Sequence, residues 1–133
     1  EIPFDREEMV LAGQILAAAD LLAQMADREY LEKLLLLFLE FQEAGLPYES
    51  MFDLLQRTHG FYAMATDRQE RILGGVYKFM APHFAARWDL PRDMYSESIA
   101  QNMEYLKVVL ELGPDNYMSK LKRGGIVQRL NRA

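Results

Sequence analysis

Apolar positions recur at three- and four-residue spacing along almost the whole chain, and no window alternates at period two long enough for a strand. The pattern predicts an all-α, multi-helix single domain of about five to six helices. Pro3 and Asp5, with Glu8 three positions on, resemble a capping box opening a first helix that runs to about Ala26. Asp27 is placed to cap a second helix over Arg28 to Ala44, which Gly45 and Pro47 stop. Ser50 opens a third helix, in which Gly60 is a point of bending or ending. Thr66 and Gln69 form a second capping box and open a fourth, "DRQERILGGVYKFM". Gly74 and Gly75 weaken that helix or permit a close crossing, and Pro82 ends or kinks it. A fifth helix spans Met94 to Leu112, with Ser96 and Ser98 as helix-start residues and Gly113–Pro114 as its stop. A short last helix covers Asp115 to Lys122, closed by Gly124–Gly125. The expected division is a helical domain over 1–112, with a terminal helix and basic tail over 113–133.

The first helix departs from the ordinary amphipathic pattern. Between Met9 and Ala26 there is no Lys, Arg or Glu. Leu11, Ile15, Ala18, Leu22 and Met25 form an apolar stripe, yet the opposite side also carries Met9, Gly13, Leu16 and Ala17. A helix apolar nearly all round is expected to be central and buried on several sides. Asp20 would then be a lone carboxylate in apolar surroundings, and such a group is paired, hydrogen-bonded, neutralised or bound to metal. Two structural roles compete with a metal-binding or catalytic one: a narrow solvated gap beside Gly13 and Ala17, or a pairing with Arg57, Arg68, Arg71 or Arg87. Gln24 is expected to hydrogen-bond a neighbour.

Composition narrows the function. Half of the 133 residues are hydrophobic, enough for one substantial core. There is no Cys, which excludes thiolate metal sites and cysteine nucleophiles and suits a reducing cytoplasm. The net charge of −5 argues against a general nucleic-acid binder. The acidic start "EIPFDREE" is unlike a secretory signal, and no apolar run reaches the ~20 residues of a membrane span, so none is expected. Because the first residue is Glu rather than Met, a piece of a longer polypeptide is expected. Residues 113–133 carry a balance of +4, leaving −9 for the rest, and read as a solvated linker or a phosphate- or lipid-contacting tail. No P-loop, dinucleotide fingerprint, HExxH or serine-nucleophile motif is present.

"AADLLAQMADREYLEKL", Ala18 to Leu34, resembles the last part of an HD-domain metal-dependent phosphohydrolase. "HFAARWDLPRDMYSESIAQNMEYL", His83 to Leu106, is similar to the tail region of the same bacterial proteins. The resemblance implies an all-helical fold and hydrolysis of phosphate esters, often nucleotides, by a metal-bound water. It implies divalent metals held by an early His, a central His-Asp pair and a later Asp. Asp20 matches that later Asp. Gln24, Asp27 and Tyr30 match second-shell or helix-junction positions, and no chemical role is carried over for them. The other ligands are missing: His59 and His83 both lie after Asp20, and neither is followed by Asp. The expectation is therefore a C-terminal helical region, inactive in isolation and without a tightly bound metal. Asp20 would be its contribution to a site completed by residues upstream in the same polypeptide. The alternatives are a non-catalytic helical interaction module, such as a homodimer face built on "LLLLFLEF", or a small-molecule sensor with an aromatic pocket around Phe79, Phe84 and Trp88. His59 and His83 are otherwise structural.

Overall fold

The last long helix, rather than the first, organises the molecule. In the computed structural model, which describes residues 6–130, the elements are α1 (Glu7–Ala26), α2 (Tyr30–Glu43), α3 (Met51–Arg71), α4 (Met80–Trp88), α5 (Met94–Glu111) and α6 (Ile126–Leu130). Short three-ten turns at Val76–Phe79, Tyr117–Ser119 and Arg123–Gly125 join them. No strand occurs among the described residues. Helix α5 packs against α1, α2, α3 and α4. Its inward face is Ile99, Asn102, Met103, Leu106 and Val109, the three- and four-residue spacing of a core-facing stripe. Leu31 of α2, Leu55 of α3, and Leu106 and Val109 of α5 are completely enclosed and form the centre of the core.

The ends of the helices show where local chemistry decided the outcome. At the end of α2 the Gly45 N–H donates to Gln42 and the Leu46 N–H to Phe41, at 3.1 and 2.9 Å. That reciprocal pair needs a left-handed residue, which Gly45 supplies with φ of 71°. Ser50 Oγ accepts from the Asp53 N–H at 3.1 Å and opens α3 as expected. Helix α5 starts at Met94, where Asp93, not Ser96 or Ser98, is the cap and takes the N–H groups of Tyr95 and Ser96. Pro3 and Asp5 lie outside the described residues, and α1 begins after Arg6 with no side-chain cap.

Three expectations are corrected. Thr66 and Gln69 lie inside α3, which runs through Gly60 without a break. Thr66 Oγ1 donates back to the Tyr62 carbonyl at 3.0 Å, and Gln69 is buried. The expected fourth helix is instead split at Gly74–Gly75, both at φ of 66°, because two successive left-handed residues cannot continue a helix. Pro82 falls in the first turn of α4, where its missing N–H costs nothing. The tail is not a solvated linker. Leu121, Ile126 and Val127 are buried and α6 packs on α2, with Gly124–Gly125 preceding the last helix instead of closing one. Arg132 lies outside the described residues.

Candidate functional site

Helix α1 is enclosed along one stripe only. Ala18, Leu22 and Met25 are buried against α5 and the Leu73–Val76 turn, and the Gln69 amide donates to the Ala18 carbonyl at 3.2 Å. Leu11 and Ile15, expected inside, are 48% and 52% exposed, and Leu16 on the outer side is 73% exposed. The expected central first helix is therefore a flank helix with a bare apolar face. The reason is geometric: the Val76–Met80 segment and Tyr95 reach only the Leu11–Ile15 edge and leave an open cleft there, while Leu16 and Asp20 are left exposed. By length and composition alone, α1 is also apolar enough to cross a membrane, a test that core helices of soluble proteins pass as well.

Asp20 lies on that outer face and is exposed. It forms no ion pair or hydrogen bond among the described residues. Two of the arginines considered for it are engaged elsewhere: Arg57 with Asp53 at 2.8 Å and Arg71 with Asp67 at 2.5 Å. Arg68 and Arg87 are exposed and do not reach it. Both histidines are distant from a shared site. His59 is half-buried in α3, and His83 is exposed with its ring edge-on to Phe84 at 5.6 Å. Among the described residues no three His, Asp or Glu side chains are grouped as a cation requires. The acids present do not fit a divalent metal by themselves, because Asp20 is the single acid on its face.

The other predicted site residues fall into two separate places. Gln24 and Tyr30 share the wall of a cleft of about 250 Å³ between α1, α2 and α3, with Phe41, Tyr48, Arg57 and Phe61. Tyr48 stacks on Phe41 at 5.2 Å, and the Arg57 guanidinium lies 5.2 Å from the Tyr48 ring centre. Burial pushes the Tyr30 hydroxyl up to about 12, so it stays protonated as a donor. Asp27 is a turn residue between α1 and α2. Its carboxylate accepts the Glu29 N–H at 2.7 Å and pairs with Lys33. The Lys33 ammonium and that N–H together hold its pKa below the ordinary carboxylate range. It prepares the start of α2 without being the capping residue itself, since α2 begins at Tyr30. Phe79 lines an apolar cleft with Leu11, Ile15, Met80 and Tyr95, whereas Trp88 stands out in solvent and neither it nor Phe84 lines that cleft.

Sequence reasoning missed the one acid that is sealed in protein among the described residues. Glu32 is 0% exposed, with Oε1 accepting the Arg123 N–H at 3.1 Å and Oε2 unpartnered among the described residues. Beside it Asn102, 2% exposed, donates both amide hydrogens to the carbonyls of Met25 and Asp27, at 2.9 and 2.8 Å. Arg123 Nη1 donates to Asn102 Oδ1 at 3.0 Å and to the Arg28 carbonyl at 2.9 Å, while its guanidinium lies 3.8 Å above the Tyr105 ring. Tyr105 in turn donates to the Lys120 carbonyl. This knot ties together the α1–α2 turn, α5 and the tail. The one local signal was the Gly124–Gly125 pair, since any side chain at Gly124 would collide with the Glu29 carboxylate.

No family model, curated protein or solved structure matches this chain.

Proposed function

We propose that this chain is a helical docking unit whose apolar α1 face is covered by further protein, with Asp20 inside the covered interface. The observation that carries the reading is an outer face about four turns long, Met9 to Ala23, bare of Lys, Arg and Glu and interrupted by one acid. Covering such a face removes apolar surface from water, and it leaves one buried carboxylate that demands a cationic companion. The resemblance to HD-type phosphohydrolases supplies a chemistry for that companion. The cover would bring the early His and the His-Asp pair, and Asp20 would join them around a divalent cation that activates water toward a phosphate ester or nucleotide. In this reading the chain alone does not hydrolyse phosphate esters. The parent polypeptide would act in the bacterial cytoplasm.

The test starts from the reading frame ahead of Glu1. If it encodes those histidines, the longer protein is expected to bind a divalent ion and to hydrolyse a phosphate monoester. D20A should abolish both while leaving the helical signal intact. A reading frame without them, or full activity in D20A, rejects the phosphohydrolase assignment.

A second reading rests on the same bare face, with a second copy of the chain as the cover. Sedimentation equilibrium separates the two. Concentration-dependent dimers abolished by Leu16→Glu support a homodimeric module, and a monomer at all concentrations rejects it.

A further inference from the structure

A second, chemically different surface lies where the tail meets the α1–α2 turn. Ala26, Arg28, Ser98, Gln101, Asn102 and Arg123 line an open cleft of about 290 Å³, at the small end of ligand sites and of a size for one phosphate-sized group. None of these six residues is acidic. Arg123 is half-buried, and its side chain is held by neutral groups: the Asn102 and Arg28 oxygens and the Tyr105 ring. Neither Arg28 nor Arg123 joins an ion pair among the described residues, whereas six other basic side chains do.

The acids nearby are absent from the cleft lining and have other partners, Glu32 through one oxygen only. Asp27 faces Lys33, Glu29 lies against Lys33 and Gly124, and Glu32 accepts the Arg123 main-chain N–H. A guanidinium fixed in orientation by neutral oxygens and an aromatic face keeps its remaining N–H donors free for an anion. Arg28 on the rim, the Ser98 hydroxyl and the Gln101 amide add donors of the kind that close around a tetrahedral oxyanion.

We propose that this cleft binds the phosphate group of a small soluble phosphorylated ligand, with Arg123 as the fixed donor and Arg28 as the closing one. Ala26 lies six residues beyond Asp20, about 9 Å along the helix axis, so the site is separate from the bare face of α1. The inference does not depend on the phosphohydrolase reading.

Titration calorimetry of the chain with inorganic phosphate tests it. Saturable binding is expected, weakened about tenfold or more in R28Q by loss of a charge-assisted contact. The melting temperature of R28Q without phosphate should not change, since the Arg28 side chain is exposed. R123K keeps the charge but not the planar fork, and should also weaken binding. Heat that does not saturate, or binding unaltered in both variants, overturns the site. Equal affinity for acetate overturns the assignment to phosphate. Sedimentation with phosphatidylcholine vesicles carrying phosphatidic acid separates a lipid headgroup from a free phosphate, and binding seen only on those vesicles overturns the soluble ligand.

Discussion

Two acids, Asp20 and Glu32, sit twelve residues apart in apolar stretches of the chain, and they meet opposite fates. Asp20 lies on the outer face of α1, exposed and unpaired, although the sequence around it is the least charged in the protein. Glu32 lies in a helix with Glu29 and Lys33 close by, yet it is fully enclosed. The difference comes from what arrives from far along the chain. Oε1 of Glu32 is met by the main-chain N–H of Arg123, 91 residues away in sequence, on a tail that packs against α2. Among the described residues nothing arrives over Asp20. Burial of a charge is set by tertiary neighbours that can meet its hydrogen-bonding needs, and local hydrophobicity is a poor guide to it.

The largest expected effect comes from removing the cover of the sealed acid. Ending the chain at Lys120 strips away Leu121, Ile126 and Val127, each worth about 1.5–3 kcal/mol of burial, and leaves Glu32 without its N–H donor. The truncated chain should unfold at far lower urea concentration or fail to fold. Equal stability would show that the tail is dispensable and the contrast mistaken.

Next comes Asn102→Ala, which takes the side-chain donor from the Met25 carbonyl, leaves the Asp27 carbonyl with the Tyr30 N–H alone, and frees Arg123. A loss of about 2–4 kcal/mol is expected by denaturant titration. Asn102→Asp should also destabilise, because it places an acceptor against those carbonyls.

A smaller effect is expected at Asp27. Its folded pKa is depressed, so its contribution is present above the unfolded value of about 3.8 and is lost as pH falls through the folded one. D27N should cost about 1 kcal/mol at neutral pH, through the weakened turn, and flatten the acid limb of the stability profile. An unchanged acid limb would locate that dependence elsewhere.

The smallest effect belongs to the bare face. D20N should change the stability of this chain by less than about 0.5 kcal/mol, as exposed substitutions do. A loss of several times that would mean Asp20 is engaged within the fold, and the comparison would collapse.

The HD-type resemblance singled out Asp20, Gln24, Asp27 and Tyr30 together. The structure puts Gln24 and Tyr30 on one cleft wall, Asp27 in a salt-bridged turn and Asp20 on another face. The Glu32–Asn102–Arg123 knot had no counterpart in the sequence reading, and of the arginine cleft only a phosphate-contacting basic tail was anticipated, without Arg28, Ser98 or Gln101. Their members come from the α1–α2 turn, α5 and the tail, and each is ordinary in its own neighbourhood. Asn102 shows this well: on α5 it occupies an inward position of the apolar stripe, where spacing gives no hint that it ties up the α1–α2 turn.

What the chain fixed locally is the helical class and several helix ends. Ser50, Gly45 and Gly113 act through their own backbone geometry and the nearest few residues, so their effect is written where they stand. The helix class follows from apolar spacing in the same way. The tertiary structure alone decided which helix is central, which acid is sealed and whether the basic tail is linker or core. Those outcomes depend on long-range packing, where a segment is buried only if another segment with matching apolar surface and hydrogen-bond partners can reach it.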